Sequence, residues 1–434
     1  MDDTIAVYLW GKLVGALFWD ERQQLGLFEY DPAFQQSGLD IAPFHMPHST
    51  KGKVFSFPAH RHNNTFNGLP GLLADSLPDQ FGNDILRAWL AGQGLRASDL
   101  NPIVRLSYVG NRGMGALEFK PAEHSRLLNR SVEISIAEMS ALCERILRDK
   151  QSLDVNLSDS DEHSNSQAMN DIIRVGTSAG GAKPKAIIAM NDAGHIISGQ
   201  VAAPAGYQHW MIKFDLAGDF DRERNNGLPP ASGRIEYAYY LMAKAAGIQI
   251  TECRLLEIGG HGHFLTARFD RVGNEKLHVQ TLAAIEHYDR DSPHDYAQLI
   301  ATARKLKLGM PAVHELYRRM VFNVLAYNHD DHTKNHAFMM DARGKWSLTP
   351  AYDVTYAYDP AGKWTRQHQM GVFGKNENVS VDDMLTAAER CDISARHAKL
   401  IVEEVKQAVA NWAELAGEAH LDKRSTDIIA RLFT

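Results

Sequence analysis

Apolar and polar positions change period several times along the chain. TIAVYLWGKLVGALFW places strand-forming residues on both sides of Gly11–Lys12, which predicts a β-hairpin near the start. A stretch dense in Gly, Pro and Asn follows (Pro58, Asn63, Asn64, Gly68, Pro70, Gly71), where turns are expected. DILRAWLAGQG then takes helical spacing, and LSYVGNRGMGALEFKP reads as strand, glycine turn and strand. Pro121 precedes a polar stretch, so a boundary is expected near 120–125. Residues 132–148 return to helical spacing, whereas QSLDVNLSDSDEHSNSQ (151–167) is acidic, Ser-rich and short of apolar residues. Such a segment cannot bury enough surface to fold and is expected to be a mobile surface loop or linker.

Beyond residue 170 strands and helices alternate. RVGTSAGGAKPKAIIAM approaches an apolar strand at Ala186–Met190, and HWMIKFD (209–215) is a strand with a lysine inside it. In RIEYAYYLMAKAAG the residues Ile235, Tyr239, Met242 and Ala246 share one helical stripe, and Gly247 is placed to stop the helix. CRLLEIGGHGHFLTARFDR predicts a strand pair around Gly259–Gly262. AVHELYRRMVFNVLAYN predicts a helix with Val313, Leu316, Met320 and Val324 on one face. FMMDARGKWSL reads as a hairpin turning at Arg343–Gly344. The remainder is mostly helical, with a capping-box start at Ser380–Asp383 and an amphipathic stretch through Ile401, Val405, Val409, Trp412 and Leu415. A mixed front thus gives way to a helical back, an α+β pattern.

Composition narrows the class. A chain of 434 residues, at roughly 150 per domain, suggests about three domains or subdomains. The 44% hydrophobic and 23% charged shares are those of an ordinary globular protein. A net charge of −7 argues against a chain-wide electrostatic grip on nucleic acid. Cys143, Cys253 and Cys391 form no CxxC element, so neither a disulfide framework nor a zinc ribbon is indicated. MDDTIAVYLW carries acids where a signal peptide needs basic residues, and no apolar run approaches spanning length. A soluble cytoplasmic protein with no membrane partner is expected.

Four elements carry candidate chemistry. VGTSAGGAKPK offers Gly176, Gly180 and Gly181, whose backbone N–H groups could approach phosphate without a Cβ in the way. Neither the Walker nor the dinucleotide template fits it, and Lys183 and Lys185 add charge. Lys213 in HWMIKFD faces away from Ile212 and Phe214, so it is either a solvent-facing edge lysine or an ammonium in a cleft. Glu236 on the following helix lies off the apolar stripe and is a candidate acid for it. The loop NHDDHTKNH contains D-x-x-x-x-N from Asp330 to Asn335, the spacing of a protein-kinase catalytic loop, in which the aspartate orients the acceptor hydroxyl and the asparagine binds magnesium. Asp331 leaves one residue too few. Asp353 in TPAYDV follows the hairpin, which could return it beside Asn335 as a second oxygen ligand for magnesium. The order of the elements is that of a kinase. Histidines at 329 and 332, 60 and 62, and 261 and 263 would also suit a metal nuclease or transition-metal site, but no third cluster with matching spacing supports either.

These segments, with LADSLPDQFGNDIL (73–86), RGMGALEFKP (112–121), ARFDR (267–271) and HVQTLA (278–283), resemble the HipA family of serine/threonine kinases, the toxin components of bacterial toxin–antitoxin pairs. The resemblance spans nearly the whole chain. It implies a protein-kinase-like bilobal fold: a β-rich N-terminal subdomain over 1–122, an N-lobe-like region over 123–266, and a helical C-lobe over 267–434. It implies ATP and magnesium as cofactors, Asp330 as catalytic base, Lys213 as phosphate-contacting lysine, and Asn335 and Asp353 as metal ligands. The nucleotide would be held by Thr177, Ser178, Ala179, Gly180, Gly181, Lys183, Lys185, Glu236, His332 and Lys334, with the backbone around Ala267 and Phe269 as adenine hinge. Many relatives carry Glu where this chain has Ala267. Ser178 matches the family's autophosphorylated serine, with Thr177 beside it, although the loop reads G-G-A-K-P-K rather than A-G-A-Q-x-K. The implied substrate is a protein serine or threonine, for example in an aminoacyl-tRNA synthetase. The implied partner is a HipB-like DNA-binding antitoxin, with DNA reached only through it. A non-catalytic role in an antitoxin–DNA repressor complex and a small-molecule kinase are the alternatives.

Overall fold

A computed structural model describes residues 4–78, 80–92, 100–121, 133–151, 184–216 and 231–433. Residues 152–167, and Gly176, Thr177, Ser178, Ala179, Gly180, Gly181 and Lys183 of the glycine element, lie outside them.

The predicted first hairpin is formed by β1 (Thr4–Leu9) and β2 (Lys12–Asp20). Its turn residues Trp10 and Gly11 both take positive φ, the geometry that matches the twist of two antiparallel strands. With β3 (Leu25–Tyr30), β4 (Val54–Phe55) and β5 (Leu117–Lys120) these strands make a sheet of order β4-β3-β2-β1-β5. Alternation sends Ile5, Val7 and Leu9 of β1, and Leu17 and Trp19 of β2, into one buried cluster, and an irregularity in the pairing opposite Val7 and Tyr8 adds Val14 to it. That face is covered by α1 (Gly71–Ala74) and, after α2 (Gln80–Gly92), by α3 (Pro102–Val109).

The last helix corrects the sequence reading, which expected a strand where LSYV stands. Asn101 caps it by accepting from the Val104 N–H (3.0 Å), and Pro102 sits in the first turn, where its missing N–H costs nothing. Ile103, Leu106 and Val109 then fall on one stripe against the sheet. The β-type residues of this segment are overruled by that burial.

A second sheet has order β7-β6-β8-β10-β9, built from β6 (Lys185–Asn191), β7 (Ile196–Ser198), β8 (Tyr207–Lys213), β9 (Cys253–Ile258) and β10 (His261–Ala267). One face packs against α4 (Ile136–Gln151) through Ile136, Met139 and Cys143. Because β8 is the middle strand, Lys213 is not an edge lysine. Helix α5 (Ser232–Ala245) starts against this sheet so closely that a Cβ on Gly233 would lie 2.0 Å from the Gly262 carbonyl oxygen. Its stripe is buried as predicted, and Gly247 ends it at a φ of 76°.

The C-terminal part packs α6 (Leu282–Glu286), α7 (Tyr296–Lys305), α8 (Gly309–Leu325), α9 (Val381–Arg390), α10 (Ala395–Ala410) and α11 (Trp412–Glu418) around Val313, Leu316, Met320 and Phe322. The Ser380–Asp383 capping box forms, and the long amphipathic stretch divides at Asn411. A small sheet of order β11-β12-β13, from His278–Thr281, Ala337–Met340 and Trp346–Leu348, contains the predicted hairpin with Gly344 in its turn. The α+β class is as expected. Among the described residues no helix is long and apolar enough to cross a membrane.

Candidate active site

The loop between α8 and β12 carries the adjacent aspartates, and they point different ways. The Asp331 side chain is fully buried while that of Asp330 is 41% exposed. Asp331 accepts from the Tyr296 hydroxyl (2.8 Å), His368 Nδ1 (3.0 Å) and the backbone N–H groups of Gln369 (2.8 Å) and Met370 (3.3 Å). Burial pushes its carboxyl up, but His368 and these bonds outweigh that and hold it below the ordinary range. Tyr296 accepts in turn from Asn323 Nδ2 (2.8 Å), and Asn323 Oδ1 accepts from Asn328 (2.9 Å), so the network reaches back into α8. Asp331 therefore anchors the loop, and Asp330 is left facing outward. One Asp330 oxygen accepts from Gln369 Nε2 (2.7 Å), and its carbonyl accepts from Asn335 Nδ2 (2.7 Å).

Lys213 reaches the same region from the second sheet. Its ammonium donates to Glu236 Oε1 (2.5 Å) and to Asp353 Oδ1. Glu236, read from sequence as off the apolar stripe, is buried there. Desolvation pushes the Lys213 pKa down, but the two carboxylates, Asp353 and Glu236, more than reverse it, so its pKa is raised. Burial works against the Asp353 charge as well, yet Lys213 and Lys185 bring its pKa to about 2. Lys185 lies opposite Lys213 in the β6–β8 register, which puts two lysines on one face of the sheet. Asp353 itself holds a φ of 53°, a left-handed conformation that aspartate tolerates better than most side chains.

Asn335 and Asp353 line one cavity of about 20 Å³ together with Asp331, His336 and Tyr352. His332 is buried, with Nε2 3.7 Å from Asp330 Oδ1. Burial depresses its pKa, while the charges of Asp330 and Asp353 act in the opposite sense. Asp330, His332, Asn335, Asp353, Lys213, Glu236 and Lys185 thus converge. Lys334 lies beside them: its Nζ reaches the Thr65 carbonyl (3.5 Å), its charge acts on His332, and its own carbonyl accepts from the Tyr352 hydroxyl (2.7 Å). At the expected hinge, the Ala267 N–H donates to Glu252 O (2.8 Å) and its carbonyl accepts from Thr251 Oγ1 (3.1 Å). The Phe269 ring lies 5.6 Å from that of Tyr352.

Several residues in this region escape sequence reasoning. Gln369 and His368 hold the two aspartates, and nothing in QHQM signals it. In ARFDR the charged residues bind the first half of the chain. Asp270 is fully buried, pairs with Arg268 and Arg271, and accepts from the Gly115 N–H (2.7 Å), while Arg268 donates to Gly113 O (3.2 Å). Three of the other histidines have structural partners. His329 Nδ1 contacts Thr365 O (3.1 Å), His60 Nδ1 contacts Leu69 O (2.7 Å), and His263 Nδ1 accepts from the Asp215 N–H (3.0 Å). Among the described residues no group of three or more His, Cys, Asp or Glu is placed to hold a metal.

Comparison with known proteins follows the same division. The family model of the HipA-like C-terminal domain matches residues 177–413, and that of the HipA N-terminal domain matches residues 5–120. A curated protein of Sinorhizobium fredii (strain NBRC 101917 / NGR234), named "Putative kinase Y4dM", is 25% identical over 219 residues, 47% of this chain and 50% of that protein. The chain spans about half the length of that relative. Among solved structures, a chain from the HipA, HipB and operator DNA complex of the Shewanella oneidensis MR-1 toxin–antitoxin system superposes with a TM-score of 0.65. The superposition covers 99% of this chain and 95% of the other at 16% identity, a likeness of fold.

Proposed function

Because the chain belongs to the HipA family, we propose that it is an ATP- and magnesium-dependent kinase that phosphorylates a serine or threonine of a cytoplasmic protein. The observation that carries this reading is the convergence of the strand ammonium of Lys213, braced by Glu236, on Asp353, which shares a cavity with Asn335. The donor set suits magnesium. Asp353 is held ionised, and Asn335 spends its N–H on the Asp330 carbonyl, which leaves its amide oxygen as a hard ligand. A magnesium-bound triphosphate would supply the transferable phosphoryl group, with substrate phosphates and water completing the metal shell.

The chain's own part is positioning and charge. Lys213 and Lys185 bring positive charge to one face, where negative charge spreads over phosphoryl oxygens during transfer. Asp330, outward-facing and steadied by Gln369, would orient the acceptor hydroxyl and take its proton. Phe269, beside Tyr352, would flank the adenine at the hinge. Ser178, beside Thr177, would accept a phosphate in the glycine element, and its added charge of about −1.5 to −2 would compete with ATP there. A HipB-like antitoxin is the proposed partner, with DNA reached through it, and a translation component such as an aminoacyl-tRNA synthetase is the proposed target class.

The test is phosphate transfer from labelled ATP, with magnesium, by the purified protein into proteins of a host lysate. The wild type should label at least one protein and Asp330→Asn should lose about 10²–10⁴-fold in rate while remaining folded. Equal labelling by the two proteins would overturn the assignment.

A further inference from the structure

Two sequence motifs have no part in that mechanism: LADSLPDQFGNDIL and HVQTLA. The fold brings them together under the catalytic loop. Asp75 follows α1 in the first half of the chain, and its carboxylate accepts from both the N–H (2.7 Å) and the hydroxyl (2.9 Å) of Thr281. Thr281 ends β11, pairs with Ala337 across the small sheet, and caps α6 by accepting from the Ala284 N–H (3.1 Å). The next residue, Leu282, donates its N–H to the His336 carbonyl (2.7 Å). Burial raises the pKa of Asp75, and the charge of Lys334, whose ammonium reaches the carbonyl of Thr65, another residue of the first half, acts against that rise. The segment 334–337, which includes Asn335, is thus flanked by groups that residues 65 and 75 orient.

The loop's two ends are held differently. At the Asp330–Asp331 end the anchors are Tyr296, Asn323, His368 and Gln369, all from the C-terminal part. At the Lys334–His336 end Tyr352, Leu282 and Thr65 join the Asp330 and Asp331 carbonyls, which meet Asn335 Nδ2 (2.7 Å) and His336 Nε2 (3.3 Å), and Asp75 acts there through Thr281. Loss of Asp75 would therefore loosen the end that carries the proposed metal ligand and leave the end that carries the proposed base.

We propose that Asp75 is a positioning residue for phosphoryl transfer, which through Thr281 and Lys334 holds Asn335 in register and makes the N-terminal subdomain a working part of the active site. This rests on the kinase reading above. A misplacement of about 1 Å at a reacting centre can cost on the order of 10²-fold in rate, so a small loosening of this loop is enough to matter.

Asp75→Asn removes the charge facing Lys334 at the smallest cost in hydrogen bonding: its one oxygen can keep the bond from the Thr281 N–H, and its new NH2 can donate to the Thr281 hydroxyl oxygen once that hydroxyl turns away. The expected result is a fall in kcat of about 10- to 100-fold, a several-fold rise in the magnesium concentration giving half-maximal rate, and a KM for a protein substrate within about twofold of wild type. Lys334→Met should show the same pattern, and the double variant should lose little beyond either single, since both remove one interaction. Hydrogen exchange gives a readout that needs no activity. Amides 333–337 should exchange faster in Asp75→Asn, while β1, β2 and α8 keep wild-type protection. Unchanged exchange in 333–337 with kcat within twofold of wild type would overturn the proposal, as would faster exchange throughout the protein, which would make Asp75 a general fold element. If Asp75→Asn does not fold, Lys334→Met carries the same rate and exchange tests. A wild type that transfers no phosphate would defeat the kinase reading alone, and the exchange experiment would still decide the coupling.

Discussion

Replacing each of the adjacent aspartates by asparagine should give two opposite phenotypes. In Asp331→Asn the shape survives but only one oxygen remains. The backbone N–H groups of Gln369 and Met370 cannot turn away, so the retained oxygen should stay with them. The new NH2 then faces the Tyr296 hydroxyl and His368 Nδ1, and two bonds to a carboxylate are lost. Hydrogen bonds to charged groups contribute about 1.5–3 kcal/mol each, and breaking a buried charged pair costs about 3–5 kcal/mol. Hydroxyl rotation and a tautomer change at His368 recover part of this, so a loss of about 3 kcal/mol is expected, a drop in Tm of roughly 3 °C when 434 residues unfold together. Asp330→Asn, on a side chain 41% exposed, can still accept from Gln369 and should stay within about 0.5 kcal/mol of wild type. Its cost should appear in phosphoryl transfer alone. Thermal unfolding by circular dichroism beside the transfer rate of each variant reads both quantities. A wild-type Tm for Asp331→Asn, or early unfolding of Asp330→Asn with transfer retained, would refute the division of roles.

Three further outcomes can be checked. Lys213→Met should abolish ATP binding in calorimetry and destabilise the fold by about 3–5 kcal/mol, because Glu236 is left buried opposite Asp353; Lys213→Met with Glu236→Leu should recover stability and not binding. Gly71→Ala should cost about 1–3 kcal/mol in urea unfolding, since its Cβ would meet the Ala284 carbonyl oxygen at 2.2 Å. His278 is fully buried, and desolvation lowers its pKa to about 4 against about 6.5 when unfolded. The unfolded chain then binds the extra proton below pH 6.5, so the stabilisation is complete above that pH and declines towards pH 4 by up to about 3 kcal/mol. His278→Gln should flatten that decline in a pH series of unfolding midpoints, and an unaltered slope would show that the proton goes elsewhere.

Features that neighbours a few residues apart control are readable along the chain. The Gly11 hairpin, the α5 stripe with its Gly247 stop, the Ser380 capping box and the hairpin turning at Gly344 depend on backbone preference and periodicity, which are local. The D-x-x-x-x-N spacing was legible for the same reason, since a short loop sets the distance between Asp330 and Asn335.

Where charge is buried, and what meets it, depends on how distant segments pack together. LSYV has strand-type residues and forms a helix because Asn101 and Pro102 start one and the first sheet buries its stripe. Lys213 could have been an edge lysine until β8 became the middle strand and Asp353 arrived from 140 residues away. Asp331 and Asp330 are chemically identical neighbours, and His368, Gln369 and Tyr296 make one an anchor and leave the other facing outward. Asp75 acquires its place only when Thr281 folds back over 206 residues of chain to meet it. A carboxylate costs free energy to bury unless partners are present, and those partners come from segments whose approach no local pattern encodes.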